Sequence, residues 1–168
     1  PRLQVELPTS TVQMEYIYHV KDQKMLEKVG ELVKEAKALC PDVEFSALDA
    51  TRSEKDFLYQ AINAAIENGA KIITVCDSAG EMLPEEFNAF VEDLYTNIPE
   101  LKNVELGVEC SDQLSMGAAC MISTMKAGIK EIKTTVNGNN LPSLETAAKI
   151  IKSRGDSIGV YSDINVTE

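Results

Sequence analysis

The sequence contains no tryptophan and only one histidine, His19. Its four cysteines lie far apart and form no Cys-x-x-Cys pair, so we expect reduced thiols rather than a disulfide framework. Strand alternation directs Cys110 toward the helices, and no histidine is close in sequence to Cys76. We therefore expect neither thiol to act as a nucleophile.

Basic residues and long apolar runs are also scarce. Lysine and arginine number 16 against 27 aspartate and glutamate residues, which gives a formal net charge of −11. An acidic surface repels phosphate backbones and anionic membranes, so no nucleic-acid or membrane partner is expected. No apolar run reaches the ~18 residues of a spanning helix, and the first residues lack the form of a signal peptide. These features predict a soluble, cytoplasmic protein.

Strand-like and helix-like stretches alternate along the chain without a low-complexity linker. A length of 168 residues with 44% hydrophobic content fits one domain, residues 1–168. The predicted helices begin near Asp22, Ser53, Pro84, Gln113 and Ser143. The predicted strands are Leu3 to Leu7, Val43 to Leu48, Lys71 to Cys76, Val104 to Cys110, Glu131 to Val136 and Ser157 to Tyr161. This alternation predicts an α/β fold with parallel strands and right-handed crossovers.

Each predicted strand has one polar face and one apolar face. In the second strand, Glu44 and Ser46 share a face and Phe45 lies on the other. An open sheet covered by helices on both sides is apolar on both faces, so the polar face favours a barrel with functional or ion-paired groups inside. Buried charges require partners, and we expect Lys133 to pair with Glu109, Glu105 or Glu44.

Three strings point to a known family. Leu7-Pro8-Thr9-Ser10, Asp49-Ala50-Thr51-Arg52-Ser53 and Asp77-Ser78-Ala79-Gly80 occur in this order along the chain. In order and spacing they resemble the 2-isopropylmalate synthase and homocitrate synthase family, and the resemblance extends from about Leu3 to Glu168.

The resemblance implies a partial TIM (β/α)8 barrel. The chain would supply about six βα units, the third to eighth strands, and would lack the first two. Six strands do not close an eight-stranded barrel, and an open edge exposes backbone donors and acceptors. We therefore expect a homo-oligomer or a partner chain that completes the barrel.

The activity implied by the resemblance is a Claisen-type condensation of an acyl-CoA with a 2-oxo acid. In the family a divalent cation, Mg²⁺, Mn²⁺ or Zn²⁺, polarises the 2-oxo acid while a base removes a proton from the thioester methyl group. The implied substrate-binding residues are Thr9, Ser10, Thr51, Arg52 and Ser78. Ser78 stands where the family has a threonine that holds the substrate carboxylate.

The metal-binding positions depart from the family pattern. The family's sixth strand ends in His-x-His, whereas this chain has Glu109-Cys110-Ser111. Glu109 and Asn137, whose equivalent lies next to the family's metal, are the remaining candidate ligands. No catalytic residue is assigned.

Three functions remain open at this stage. The first is an acyl-CoA:2-oxo acid acyltransferase with a degraded metal site. The second is a non-catalytic relative or subunit that binds a 2-oxo acid and requires a partner chain. The third is an open nucleotide-binding domain, which is disfavoured because neither GxGxxG nor GxxxxGK[ST] follows any predicted strand.

Overall fold

A computed structural model describes residues 1–165 as one parallel sheet flanked by helices. The five strands are β1 (Leu3–Pro8), β2 (Val43–Leu48), β3 (Ile72–Asp77), β4 (Glu105–Cys110) and β5 (Glu131–Ile132). The six α-helices are α1 (Thr11–Tyr16), α2 (Asp22–Leu39), α3 (Lys55–Glu67), α4 (Pro84–Asn97), α5 (Gly117–Thr124) and α6 (Leu144–Ile158). The strands pair in chain order, each parallel to the next. None of the helices within residues 1–165 is both long and apolar enough to cross a membrane.

The helix boundaries follow local capping chemistry. α4 begins at Pro84, whose missing N–H would have no helical partner in any case, and Glu86 accepts a hydrogen bond from the Leu83 N–H at 2.9 Å. The Ser143 side chain accepts the N–H of Thr146 and caps α6. These two helices begin within one residue of their predicted positions.

The core lies between the apolar face of the sheet and the helices. The face of the sheet opposite the polar one carries the apolar side chains. Among them, Phe45 of β2, Ile73 of β3 and Leu106 of β4 are completely buried. Helices α2, α3 and α4 cover them with buried side chains at three-to-four spacing, among them Val29, Leu58 and Phe87. The predicted division into one polar and one apolar face is confirmed for these strands.

The sheet is strongly curled, with its polar face inside. β1 and β5 are the two edges of a five-stranded sheet, and in a flat sheet they would be about 19 Å apart at ~4.8 Å per strand. Arg2, immediately before β1, nevertheless places Nη1 2.5 Å from Oε2 of Glu131 in β5. Among the residues described, the edges are joined only through side chains, so the sheet curves like part of a barrel without closing.

Two predicted strands differ from the structure. The prediction of a strand from Ser157 to Tyr161 is wrong, because α6 continues to Ile158 and ends at Gly159 with φ 71°. Gly155, a residue type that is typical of helix ends, lies inside this helix. β5 is also shorter than predicted: Lys133 still donates its N–H to the Val108 carbonyl at 2.9 Å, but Thr135 then pairs with Ser143 instead of continuing along β4. The described chain therefore contains five strands rather than six.

Helix α1 was not predicted from the sequence. It has only six residues, and Ser10 caps it by accepting the N–H of Gln13.

Helix α5 begins at Gly117 rather than near Gln113, and a short 3₁₀ turn, Met125–Ala127, follows it before Gly128.

Candidate functional site

Asp49 organises the carboxyl end of the sheet. It follows β2 in the left-handed conformation, with φ 58°, and its side chain is completely buried. Its carboxylate accepts Nε of Arg52 at 2.9 Å and Nη2 at 2.8 Å, and it also accepts the hydroxyl of Ser10. The Asp49 N–H donates to Oγ of Ser78 at 2.9 Å. One residue therefore links the ends of β1, β2 and β3.

A second buried carboxylate, Asp77, fixes the loop after β3. It accepts the Thr51 hydroxyl at 2.9 Å and the N–H groups of Gly80 and Met82 at 3.2 and 3.3 Å. Gly80 has φ 67°, and a Cβ there would lie 2.7 Å from the carbonyl oxygen of Ser111. Only glycine allows the loop to approach the end of β4 this closely.

The structure brings all five predicted substrate-binding residues into this network. Three of their hydroxyls are already committed to protein acceptors: Thr9 donates to the Leu48 carbonyl at 3.1 Å, Ser10 donates to Asp49 and Thr51 donates to Asp77. Thr9 and Ser10 are also completely buried. These three side chains therefore support the site rather than face a ligand.

Arg52 and Ser78 retain donors for a ligand. The Arg52 side chain is 44% exposed, and its Nη1 has no acceptor within the described part of the chain. Ser78 uses its oxygen to accept from Asp49, and its O–H has no acceptor there either. Hydrogen bonds to Asp49 raise the pKa of Arg52, so the guanidinium stays charged.

The sequence interpretation overlooked Asp49 and Asp77 as functional residues. Asp49 directly follows β2, and Asp77 is the last residue of β3. A carboxylate buried at such a position requires hydrogen-bond donors nearby. The hydroxyls of Ser10 and Thr51 supply such donors, and their presence near the ends of the same strands was the available signal.

The candidate metal ligands are not brought together. Glu109 is half-buried on the inner face of β4, whereas Asn137 is exposed in a turn beyond β5 with φ 63°. Across residues 1–165, no three histidine, cysteine, aspartate or glutamate side chains are grouped so that they could hold a metal ion. The donor set that the family relation implies therefore does not fit a divalent cation at these positions.

A lysine lies within the polar interior. Nζ of Lys133 is 2.7 Å from Oε1 of Glu44 and 2.6 Å from Oε1 of Glu131. Glu44 is 1% exposed and also accepts the Thr74 hydroxyl at 2.7 Å. The predicted pairing of Lys133 with Glu44 is confirmed, and Glu131 is an additional partner that the sequence interpretation did not include.

The pKa directions follow from these contacts. Burial alone would lower the pKa of Lys133, but its hydrogen bonds to Glu131 and Glu44 outweigh burial and raise it. Burial opposes ionisation of Glu131, yet hydrogen bonds from Lys133 and Arg2 lower its pKa. The pKa of Glu109 is raised, first by burial and then by the nearby Glu6 carboxylate.

Together, the fold and the site define a class of protein. A curled parallel sheet with helices outside, charged groups inside and polar side chains at the carboxyl ends of the strands is part of a TIM barrel. The HMGL-like family model matches residues 1–166. The chain belongs to the HMGL-like family.

Sequence relatives confirm the resemblance to 2-isopropylmalate synthases. The chain is 37% identical over 172 residues to the 2-isopropylmalate synthase of Aquifex aeolicus, covering 99% of this chain and 33% of the relative. It is 32% identical to that of Clostridium kluyveri, with 100% and 33% covered. It is 34% identical over 176 residues to methylthioalkylmalate synthase 1-1 of Eutrema japonicum, covering 100% of this chain and 34% of the relative. The chain thus spans about a third of the length of these relatives.

Solved structures confirm the fold class. Hydroxymethylglutaryl-CoA lyase from Pseudomonas aeruginosa superposes with a TM-score of 0.77 at 11% identity, covering 90% of this chain and 55% of that one. The HMG-CoA lyase from Brucella melitensis gives 0.73 at 9% identity, with 92% and 59% covered. At these identities the likeness shows a shared fold, and the chain corresponds to part of each structure.

Proposed function

We propose that this chain forms the 2-oxo-acid-binding part of an acyltransferase similar to 2-isopropylmalate synthase. The observation that carries the proposal is the convergence of Arg52 and Ser78 on Asp49 at the carboxyl ends of the strands. Residues 1–168 would act as one domain. A second copy, or another segment or chain, would complete the barrel.

The free donors suit the carboxylate of a 2-oxo acid. Charge-assisted hydrogen bonds from guanidinium are among the strongest available to a carboxylate, and the Ser78 hydroxyl adds a second donor nearby. Asp49 already neutralises Arg52, and the charges of Glu81 and Asp77 also act on it. Recognition would therefore depend on donors fixed in position rather than on a net positive field.

The proposed reaction forms a carbon–carbon bond. A base takes a proton from the methyl group of an acetyl thioester, the methyl carbon bonds to the carbonyl carbon of the 2-oxo acid as the C=O π bond breaks, and the former carbonyl oxygen takes up a proton to become a hydroxyl. Hydrolysis of the thioester then releases the free thiol of coenzyme A. This chain's contribution is to bind and orient the 2-oxo acid through Arg52 and Ser78. A divalent cation bound elsewhere in a complete barrel would supply carbonyl polarisation.

A second candidate is a relative that binds a 2-oxo acid without turnover. Its support is the interior of this chain, where residues 1–165 contain no group of three histidine, cysteine, aspartate or glutamate side chains that could hold a metal ion, and where Lys133 contacts Glu44 and Glu131. The two candidate functions share the same binding site. They differ only in whether the bound 2-oxo acid reacts with an acyl-CoA.

Calorimetric titration and a thiol-release assay separate the candidates. The ligand is 3-methyl-2-oxobutanoate, the 2-oxo acid whose carbon skeleton yields 2-isopropylmalate with an acetyl group, and pyruvate serves as a smaller probe. Arg52→Gln and Ser78→Ala are expected to weaken binding by about tenfold or more, since each removes a hydrogen bond to a charged group worth about 1.5–3 kcal/mol.

Lys55→Gln is the matched control for Arg52. Lys55 is 67% exposed and pairs with Asp93 on the helical surface, so its loss removes the same charge without touching the site.

Binding with thiol release from acetyl-CoA supports the acyltransferase, and binding without release supports the second candidate. Failure of the unmodified chain to bind either acid contradicts both.

A further inference from the structure

We infer that Lys133 is the resident cation of the curled interior, so that this part of the barrel folds and stays charge-balanced without a divalent metal ion. The inference is independent of 2-oxo-acid binding, because Lys133 lies on the inner face beside β5, away from the Asp49 network. It concerns the group that neutralises the buried carboxylates and holds the sheet curled.

The interior carboxylates need a cation. Glu44 is almost completely buried, and an ionised carboxylate in that environment is stable only when it is paired and hydrogen-bonded. It receives Nζ of Lys133 at 2.7 Å and the hydroxyl of Thr74 at 2.7 Å, with Nη1 of Arg2 at 3.5 Å. Lys133 is therefore the nearer and Arg2 the more distant of the two cationic side chains that contact Glu44.

Two cations serve the two carboxylates of this cluster. Glu44 and Glu131 are opposed by Lys133 and Arg2, and Arg2 also contacts Asp42 at 3.4 Å. A divalent ion placed between the same carboxylates would stand within a few ångströms of a fixed ammonium, and repulsion at that distance is strong in a buried site. A divalent ion also requires about six oxygen ligands, whereas the ammonium satisfies these carboxylates with its own hydrogen bonds.

Lys133 also connects distant parts of the sheet. Its ammonium joins β2, through Glu44, to β5, through Glu131, although β3 and β4 lie between those strands in the sheet order. This contact spans the inside of the curve. Loss of the ammonium would therefore leave Arg2 as the only cation beside Glu44 and Glu131 among the residues described, and would remove a restraint on the curvature.

Thermal unfolding with and without metal tests the inference. For the unmodified chain, we expect the same Tm in EDTA as in millimolar Mn²⁺. Lys133→Gln is expected to lower Tm by about 5–10 °C, because the almost completely buried Glu44 then keeps only the more distant Arg2 guanidinium as a cation. In this variant Mn²⁺ is expected to restore part of the loss and to bind in a calorimetric titration, because the space between Glu44 and Glu131 is then open to a cation.

Lys130→Gln is the matched control, since Lys130 is exposed, lies three residues away and has the same charge. We expect its Tm to equal that of the unmodified chain. If Lys133→Gln does not fold, the double variant Lys133→Met/Glu44→Met is measured instead. It replaces the ion pair with apolar side chains, so we expect it to fold and its Tm to be unaffected by Mn²⁺.

Four results would overturn the inference. One is a Tm of the unmodified chain that rises with Mn²⁺ and falls with EDTA, with Glu109→Gln abolishing the response. The second is a Lys133→Gln variant as stable as Lys130→Gln. The third is a Lys133→Gln variant that is destabilised but gains no response to Mn²⁺, which would make Lys133 a packing residue rather than a cation substitute. The fourth is a double variant that does not fold.

Discussion

Asp49 is the residue on which the candidate site depends. Its buried carboxylate holds Arg52 in a two-pronged hydrogen bond, and its backbone holds Ser78. Because both free donors of the site are fixed through the same residue, the geometry of the site and local stability depend together on Asp49. Its left-handed backbone, with φ 58°, is a conformation that asparagine and aspartate tolerate better than most residues.

Asp49→Asn separates charge from backbone conformation. We expect the variant to keep the turn but to lose about 1.5–3 kcal/mol of unfolding free energy, the usual contribution of hydrogen bonds to a charged group. Urea denaturation measures the change. Asp156→Asn is the control, because Asp156 is exposed on α6 and should change stability little. Equal effects of the two substitutions would show that the Asp49 network contributes nothing measurable.

Glu109 carries a prediction about pH. Burial and Glu6 raise its pKa, so the folded chain holds this proton more tightly than the unfolded chain does. The folded state therefore loses stability as pH rises through the raised pKa. Glutamine resembles the protonated acid, so Glu109→Gln is expected to raise Tm near neutral pH and to lose that advantage once the pH falls below the ordinary glutamate pKa of about 4.3.

Thermal scans across pH measure this difference. Glu105→Gln, at the exposed start of the same strand, serves as the comparison. A Glu109→Gln variant that is less stable than the unmodified chain at neutral pH would show that the carboxylate has a stabilising partner.

The candidate site could be predicted only in part from the sequence. The resemblance implied Thr9, Ser10, Thr51, Arg52 and Ser78 as substrate-binding residues; the structure places them at the carboxyl ends of β1, β2 and β3, and their role in binding stays a prediction. The sequence could not show which of them keep a free donor. That distinction depends on where the Asp49 and Asp77 carboxylates point, and side-chain direction in these loops is set by contacts between β1, β2 and β3.

Among the elements, α6 shows how one glycine can be misinterpreted. Gly155 predicts a helix end by its residue type, yet it lies inside α6 and its carbonyl accepts the N–H of Val160 at 3.1 Å. A Cβ at this position would lie 2.3 Å from the carbonyl oxygen of Val160. The glycine is therefore required by a tertiary approach of the following segment, which residue type and periodicity do not reveal.

Two helical glycines give opposite expectations for alanine. Gly155→Ala is expected to lower Tm, because the new methyl group would meet a backbone carbonyl that cannot move alone. Gly30→Ala, inside α2, would meet only the end of the Asn68 side chain at 3.1 Å, so the better helix propensity of alanine should stabilise by up to about 1 kcal/mol. Thermal unfolding compares them, and a stabilising Gly155→Ala would contradict the packing around α6.

The longer strands were predicted more accurately than β5. β2 matches its predicted bounds, and β1, β3 and β4 differ by one residue at one or both ends. These strands alternate clearly between polar and apolar side chains and are held on the core by buried residues. β5 contains two residues, because the chain leaves β4 after Lys133 and pairs at Thr135 with Ser143, a local pairing that polar and apolar alternation does not reveal.

At the scale of the whole molecule, the β1 edge is the most exposed part of the sheet. A groove between β1 and α2 is lined by Leu3, Leu32 and Leu39, which are 38%, 40% and 83% exposed. The backbone on the outer side of β1 has no neighbouring strand among residues 1–165. An edge with both features favours association with another strand or surface.

We expect the isolated chain to self-associate as its concentration rises. Sedimentation velocity measures this, and the double variant Leu3→Lys/Leu39→Lys is expected to shift the distribution toward monomer. Leu114→Lys is the control, since Leu114 is 53% exposed but lies in the loop after β4. A chain that remains monomeric at all concentrations would contradict the proposed need for a partner that completes the barrel.

The most direct test of the proposed function is an NMR titration of the ¹⁵N-labelled chain with 3-methyl-2-oxobutanoate. If the acid binds at this site, we expect the Arg52 Nε–H signal and the amide signals of Asp49, Ser78 and Gly80 to shift together and to saturate. The amide signal of Lys55 should not shift. Shifts confined to other parts of the chain, or no shifts at saturating ligand, would contradict the assignment of a 2-oxo-acid site to the carboxyl ends of β1, β2 and β3.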